Sequence, residues 1–323
     1  MLDSLAFAFG ISFVCLLVLV SGPASRFVLD HANERSLHST PVPRTGGLAI
    51  AAGVAGAYAL GGVGVQGALL AAAGLAIMSF VDDVISLPVL LRLVMHVAAA
   101  VAVLALMESR YEPMLFLALV LGIAWFANVF NFMDGSDGLA AGMSVLGFGA
   151  CAIAAYGDGV TALAVTCISI SAASFAFLLF NFAPARIFMG DSGSIPLGFL
   201  AAAVGVEGWR EGLWELWFPV LVFSPFLADA TLTLAKRLWR REKVWEAHRE
   251  HYYQRAIRMG FGHRNTALAE YVLMAACAGV ALVIRKGTPN LQVISIGLCV
   301  SAYCALAFWI DSRWARFGTD KST

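Results

Sequence analysis

Residues 45–81 read TGGLAIAAGVAGAYALGGVGVQGALLAAAGLAIMSFV, a stretch without a single charged side chain. A helix that crosses a bilayer needs roughly 20 apolar residues, so this stretch is too long for one crossing. Gly61, Gly62 and Gly64 interrupt it near the middle, and clustered glycines are typical of turns. The stretch therefore predicts two short membrane-spanning helices joined by a tight turn.

The composition of the whole chain extends this prediction. Hydrophobic residues make up 60% of the 323 residues and charged residues only 13%. Soluble domains carry about 25% charged residues, so the chain lacks the polar surface of a soluble enzyme, a disordered chain or a coiled coil. We expect an all-α polytopic membrane protein that forms a single integral membrane domain over residues 1–323.

Similar apolar runs recur along the sequence and predict about eleven transmembrane helices. A count of ten stays open because the apolar run at 192–206 is short. The predicted spans lie near residues 3–21, 46–62, 66–81, 89–107, 114–132, 139–156, 160–181, 194–207, 216–236, 267–284 and 290–310.

The basic residues predict the orientation. If the N-terminus is outside, 17 of the 21 Lys and Arg residues face the cytoplasm, as the positive-inside rule requires. The four exceptions are Arg110, Arg210, Arg285 and Lys286. We therefore expect the N-terminus outside and the C-terminus in the cytoplasm.

The polar residues concentrate on the predicted cytoplasmic side, and the outward loops are short and plain. The clusters occupy the loops 22–45, 82–88, 132–138, 183–193 and 236–266. This convergence on one membrane face predicts that the five loops form an active site facing the cytoplasm.

Two of these clusters are rich in carboxylates, and the second also contains amide side chains. Asp82 and Asp83 are adjacent at the edge of the hydrocarbon, where each carboxylate costs about 2.5–3.5 kcal/mol. They indicate a nearby cation or a base, although a solvated acidic helix end is an alternative. Asn128, Asn131, Asp134 and Asp137 recur every third residue among glycines. This spacing predicts a broken helix that lines a cavity, with an Asx/Gly turn as the alternative.

Two further clusters suit phosphate chemistry. Asp191, in the segment 190–194, offers a hard oxygen ligand for Mg²⁺ before a helix, with an ordinary N-cap as the alternative. The loop 236–266 is basic, which the positive-inside rule and lipid headgroups explain, but its pair His248 and His251 is not explained that way. Zinc is a weak alternative there because no cysteine lies near.

Together with Arg44 and Arg92, these groups favour phosphoryl transfer from a soluble phosphate donor to a lipid acceptor. Both reactants are anions, and Mg²⁺ with basic side chains is the usual means of neutralising them. A polytopic transporter is the rival from another class, and it predicts ionisable residues near the middle of the bilayer. The outer halves of the spans are almost free of charge, which argues against it.

At these residues the chain resembles the polyprenyl-phosphate N-acetylhexosamine-1-phosphate transferase superfamily, glycosyltransferase family 4. The resemblance rests on four motifs, at residues 30–50, 82–88, 128–142 and 188–194. It implies transfer of an N-acetylhexosamine 1-phosphate from a UDP-sugar to undecaprenyl phosphate, with release of UMP, as the first membrane step of cell-surface glycan synthesis. It also implies a multi-pass protein of the bacterial cytoplasmic (inner) membrane.

The resemblance further implies a role for each site residue. Asp191 and Asn131 would bind Mg²⁺, with Mn²⁺ as an alternative, and Asp82 or Asp83 would act on the lipid phosphate. The implied substrate-binding residues are Asn128, Asp134, Asp137, His248, Arg249, His251, Arg92, Arg44 and His38. The partners would be UDP-N-acetylhexosamine, the polyprenyl phosphate lipid and the membrane; a homodimer is compatible, and no nucleic acid is expected.

The histidine loop departs from the H-x-H-H pattern of many relatives and reads HREHYY at residues 248–253. This variant looks like the subgroup that begins O-antigen and lipopolysaccharide synthesis with deoxy-N-acetylhexosamines such as FucNAc or QuiNAc. It leaves the sugar open. The UDP-MurNAc-pentapeptide phosphotransferase of peptidoglycan synthesis, in the same superfamily, is the alternative and fits the motifs less well.

Overall fold

The computed structural model describes residues 1–21, 29–30, 41–61, 65–107, 110–246 and 248–320. The described part is almost entirely helical, with one two-residue antiparallel pairing of β1 (Leu29–Asp30) and β2 (Val42–Pro43). The helices are α1 (Leu2–Leu19), α2 (Gly46–Gly61), α3 (Gln66–Ile85), α4 (Val89–Leu106), α5 (Pro113–Met133), α6 (Leu139–Gly157), α7 (Thr161–Asn181), α8 (Asp191–Arg210), α9 (Trp217–Val222), α10 (Ser224–Trp239), α11 (Tyr252–Ala256), α12 (Gly262–Ile284) and α13 (Pro289–Asp320). A π-helical turn, Ile257–Phe261, joins α11 to α12.

The prediction of an all-α polytopic membrane protein is confirmed. In the described residues, eight helical segments are long and apolar enough to cross a bilayer, and α2 is a shorter apolar helix. The uncharged stretch 45–81 divides as expected, since α2 ends at Gly61 and α3 begins at Gln66. One helix lies at each predicted span except 216–236, and the number and direction of the membrane crossings stay predictions.

The predicted span 216–236 is not one helix, which corrects the sequence analysis. It divides into α9 and α10 at Phe223–Ser224, and Pro225 lies in the first turn of α10. Proline lacks the N–H that would continue the helical hydrogen bonds. The Ser224 hydroxyl donates to the Leu221 carbonyl at 2.7 Å and so satisfies one acceptor at the break.

The core of the molecule surrounds α8, whose side chains are buried along nearly its whole length. Small residues allow this burial: a Cβ on Gly198 would lie 2.4 Å from the Phe126 carbonyl oxygen of α5. Since α8 begins at Asp191, the most deeply packed helix places this carboxylate at the centre of one end of the bundle.

A short backbone pairing attaches the start of α2 to the segment before α8. The Phe188 N–H donates to the Pro43 carbonyl at 2.8 Å, and the N–H groups of Gly46 and Gly47 donate to the carbonyls of Phe188 and Met189, both at 2.9 Å. This pairing brings the intervening Arg44 to the N-terminus of α8.

Gly47 tests this attachment. A Cβ there would lie 2.3 Å from the backbone nitrogen of Gly193, so we expect Gly47→Ala to lower the free energy of unfolding by about 1–3 kcal/mol, as overpacking does. Gly74→Ala is the matched control, because a Cβ on this exposed glycine of α3 meets no atom within 4 Å. Thermal unfolding in detergent checks both variants, and equal melting temperatures would contradict the proposed close approach.

Candidate active site

Two carboxylates from different helices share one guanidinium at the start of α8. Asp191 Oδ1 accepts hydrogen bonds from Arg44 Nη2 at 2.5 Å and from Asn131 Nδ2 at 2.9 Å. Asp83 Oδ1 lies 3.4 Å from the same Arg44 nitrogen, and Asp83 Oδ2 accepts the Ser192 N–H at 3.3 Å. Asp83 and Asp191, from the predicted loops 82–88 and 183–193, therefore lie next to Arg44, together with Asn131 from the end of α5.

The adjacent aspartates have different surroundings. Asp82 Oδ1 accepts the Leu87 N–H at 2.6 Å, and Asp82 Oδ2 pairs with Arg92 Nη1 at 3.2 Å. These contacts fix the turn between α3 and α4, where Ser86 takes a left-handed φ of 54°. The Asp83 side chain is only 1% exposed, and its Oδ1 accepts no hydrogen bond from the described residues. Of the two carboxylates, Asp83 is the one whose oxygen can still accept a hydrogen bond or bind a cation at the cluster.

This donor set fits Mg²⁺ better than a transition metal. Within the described ranges, no three His, Cys, Asp or Glu side chains are placed to hold a metal ion together. Mg²⁺ usually takes one or two carboxylates and keeps water and substrate phosphates as its other ligands. Asp191, with the unsatisfied Asp83 Oδ1 beside it, matches that requirement. Asn131 presents its amide nitrogen to Asp191, so here it orients the carboxylate.

The loop after α5 lies beside this cluster. Asp134 ends α5 half-buried; burial raises the pKa of its carboxyl well above the usual value, Arg44 opposes this, and Asp191 and Asp83 add to it. Asp137 instead ties the loop down, since its Oδ2 accepts the Ala185 N–H at 3.0 Å. Asp134 thus lies within electrostatic reach of the cluster, and Asp137 supports the loop.

A cavity of about 490 Å³ adjoins the cluster between α4, α5, α10 and the segment 244–254. Five of the predicted site residues line it: Arg92, Asn128, Asn131, His248 and His251. Arg92 and Asn131 also contact the carboxylate of Asp191. Its other wall is apolar and includes the exposed side chains of Val89, Leu93 and Trp245. The cavity therefore joins a polar end at the carboxylates to an apolar end at the bundle surface.

Some predicted residues lie elsewhere. Arg249, Asp134 and Asp137 are half-buried, and none of the three lines the cavity. His38 lies outside the described residues, as do residues 22–28 and 31–40 of the predicted loop 22–45.

The histidine arm, residues 248–251, is anchored by Asp229 of α10. The N–H groups of Tyr252 and Tyr253 each donate to the Asp229 carboxylate at 2.9 Å, and His251 Nδ1 lies 3.1 Å from Asp229 Oδ1. An acceptor at Nδ1 fixes the orientation of an imidazole and leaves Nε2 for a ligand. From the sequence, Asp229 could equally have packed against a neighbouring helix; the structure shows it holding the arm.

His96 is a further polar residue of the cavity and was not among the predicted site residues. It lines the cavity, and its Nδ1 lies 3.2 Å from Asn128 Nδ2. Its Nε2 is buried without a hydrogen-bond partner in the described part of the chain. A usable signal was present, because His96 follows Arg92 by four residues and therefore shares its helix face.

Comparison with known proteins gives a matching family and several similar proteins. The sequence profile of glycosyl transferase family 4 matches residues 65–208. A probable undecaprenyl-phosphate N-acetylglucosaminyl 1-phosphate transferase of Bacillus subtilis (strain 168) is 26% identical over 84% of this chain and 81% of its own length. A decaprenyl-phosphate N-acetylglucosaminephosphotransferase of Mycobacterium tuberculosis (strain CDC 1551 / Oshkosh) is 27% identical over 91% and 86%.

A phospho-N-acetylmuramoyl-pentapeptide-transferase of Lacticaseibacillus paracasei is 42% identical, but over only 36% of each chain. The similarity to this protein is thus higher and confined to a shorter segment.

His248 gives a prediction for pH. Burial, followed by the charges of His251 and Arg237, lowers the pKa of its imidazole to about 4. Histidine in the unfolded chain titrates near 6.5, so stability from the neutral ring is complete above that pH and is lost as the pH falls towards 4. We expect NMR of the imidazole-labelled free protein to show no His248 titration between pH 5.5 and 8. A midpoint near 6.5, assigned through the missing signal of His248→Gln, would contradict the buried placement.

Proposed function

Because the chain belongs to the polyprenyl-phosphate N-acetylhexosamine-1-phosphate transferase superfamily, we propose that it transfers an N-acetylhexosamine 1-phosphate from a UDP-sugar to undecaprenyl phosphate. In this reaction an oxygen of the lipid phosphate forms a bond to the phosphorus that carries the sugar. The bond from this phosphorus to the UMP oxygen breaks, so UMP leaves and the sugar stays on a lipid diphosphate.

One observation carries the proposal. A cluster of Asp83, Asp191 and Arg44 lies at the start of a buried helix and adjoins a cavity whose other wall is apolar. Such a site offers charge neutralisation for phosphates at one end and contact with a hydrocarbon chain at the other. A lipid phosphate needs both features, and a nucleotide diphosphate needs the charge neutralisation.

Mg²⁺ is the proposed cofactor, held by Asp191 with Asp83 beside it. When bound, it would neutralise the diphosphate oxygens and so lower the repulsion between two anionic reactants. Asn131 and Arg44 keep the Asp191 carboxylate in place, since both donate to its Oδ1. Of the adjacent pair, we assign Asp83 to the acceptor phosphate, because Asp82 is already bonded to Leu87 and Arg92.

The donor is proposed to bind between the cluster and the histidine arm. Arg92 Nη1 lies 3.9 Å from Asp191 Oδ2 and also lines the cavity, so it can contact a phosphate that lies next to the cation. His251 and His248 also line the cavity, and a ring N–H of either can donate a hydrogen bond to diphosphate or sugar oxygens. Arg249, Asn128, Asp134 and Asp137 remain proposed substrate contacts.

We propose the following topology. The chain crosses the bacterial cytoplasmic membrane eleven times, with the N-terminus outside, the C-terminus inside and the site facing the cytoplasm. The distribution of basic residues supports this orientation. So does the meeting of the C-terminal ends of α3 and α5, which carry Asp83 and Asp134, with the N-terminal start of α8 at Asp191. Nucleotide sugars are cytoplasmic solutes, so the donor would meet the site directly.

The alternatives differ in their support. The relatives described above are named as transferases, which gives the transporter hypothesis no support. Phospho-MurNAc-pentapeptide transfer rests on similarity over about a third of the chain. The variant sequence HREHYY at residues 248–253 supports a donor that carries a sugar without a peptide, in an O-antigen pathway.

Release of UMP tests this proposal. Purified protein with undecaprenyl phosphate and Mg²⁺ should release UMP from at least one of UDP-GlcNAc, UDP-FucNAc and UDP-QuiNAc, and should not release it from UDP-MurNAc-pentapeptide. We expect EDTA or Asp191→Ala to reduce the rate by about 100-fold or more, since the cation contributes several kcal/mol.

Asp3→Asn, on the exposed first turn of α1, is the control and should keep the wild-type rate. An Asp191→Ala variant that is as active as the wild type would reject the cation assignment. The absence of UMP with every donor, together with solute flux into proteoliposomes, would reject transfer in favour of transport.

A further inference from the structure

The turn that carries the histidine arm is also held by the C-terminal end of α13. The apolar part of this helix is barely buried against the rest of the described molecule. Near its C-terminal end, Asp311 and Trp314 make ion-pair and cation–π contacts with side chains of α10, α11 and the π-helical turn. No role assigned above uses either residue, and both lie beyond the segment 65–208 that matches the family profile.

We propose that Asp311 is a positioning residue for the transfer reaction, because it fixes the histidine arm where its side chains meet the donor diphosphate. The inference rests on the proposed function. Asp311 Oδ1 accepts a hydrogen bond from Arg255 Nη1 at 2.9 Å, and Asp311 Oδ2 pairs with Lys236 Nζ. One carboxylate thereby joins α10, α11 and α13.

Asp311 acts on the turn that carries His251. Lys236 Nζ also donates to the Tyr252 hydroxyl at 2.5 Å, and this hydroxyl lies 3.5 Å from Asp311 Oδ2. The backbone of Tyr252, in turn, donates to Asp229, the carboxylate that orients His251. Asp229 thus holds this turn through its backbone N–H groups, and Asp311 holds it through the side chains of Lys236 and Arg255.

The charges around Arg255 make the arm sensitive to Asp311. The Arg255 side chain is only 6% exposed, and the other carboxylate within ion-pair distance in the described structure is Glu250, at 3.5 Å. A buried guanidinium without its main partner is strongly unfavourable. Loss of the Asp311 charge would therefore drive Arg255 towards water, and the turn that includes His251 would move with it.

Trp314, three residues after Asp311, adds a second contact from the same helix. The guanidinium of Arg258 lies 4.8 Å from the centre of its indole ring, and that of Arg255 lies 5.9 Å away. Both distances are within the range of a cation–π interaction. One face of α13 therefore contacts the helical turns that follow the histidine arm. Among the contacts described, Asp311 is the only carboxylate on that face.

Steady-state kinetics with the preferred UDP-sugar tests the proposal. We expect Asp311→Asn to raise the KM for the UDP-sugar about tenfold, as loss of a charge-assisted contact network would, with kcat and the KM for undecaprenyl phosphate within about twofold of wild type. Asp311→Glu keeps the charge and should restore the KM to within about twofold. Ser312→Ala is the matched control, since its hydroxyl donates within α13 to Phe308 and it should behave as wild type.

The outcomes separate the hypotheses. A wild-type KM in Asp311→Asn would overturn the inference and leave the proposed function intact. Equal losses for both substrates, or a loss that Asp311→Glu fails to restore, would show a merely structural role and also overturn it. If the wild-type protein transfers no sugar phosphate from any donor, the proposed function itself fails. This outcome is distinct from any result obtained with the Asp311 variants.

Discussion

The structure depends on the placement of negative charge at the start of its most deeply buried helix. Asp191 and Asp83 approach the same guanidinium, that of Arg44, and Arg92 lies 3.9 Å from Asp191 Oδ2. Two like charges 4 Å apart repel by about 4 kcal/mol at an effective dielectric of 20. Arg44 compensates only part of this charge, and the pairing of residues 43–47 with 188–189 keeps it there. A site with excess negative charge near the membrane is suited to a divalent cation, which in turn suits phosphates.

The helical scaffold makes this charge cluster rigid. Because α8 is buried along almost its whole length, its first residue cannot shift without moving the helices around it. Asn131 from α5 and Asp83 from α3 reach Asp191 from the two helices that flank α8. The histidine arm, in contrast, is a short turn fixed by two carboxylates, Asp229 and Asp311. The cation side of the site is thus built into the core, and the donor side is held by ion pairs.

Much of this arrangement could be predicted from the sequence, for physical reasons. The absence of charge over residues 45–81 and the glycines within it were enough to predict two helices, because length and turn propensity are local properties. The convergence of the polar loops followed from the one-sided distribution of basic residues. The break between α9 and α10 was missed, although Pro225 was a visible signal for it.

Other features required the tertiary structure. Neighbouring residues on a helix point about 100° apart, so Asp82 and Asp83 had to differ, but only the position of α8 decides which one faces Asp191. The link from Asp229 to His251 joins residues that are distant in sequence, across the loop between α10 and α11. The apolar wall of the cavity likewise depends on how α4 packs against α5 and α10. None of these relations follows from local pattern.

The central claim is that Asp83 and Asp191, with Arg44 beside them, form one site for a divalent cation. Anomalous X-ray diffraction from crystals grown with Mn²⁺ and the UDP-sugar measures this directly, because Mn²⁺ takes the same oxygen ligands as Mg²⁺. The account predicts a single strong peak at a bonding distance of about 2–2.5 Å from an Asp191 oxygen, on the side that faces Asp83. A peak at the histidine arm, or a map in which the two carboxylates face opposite leaflets, would contradict it.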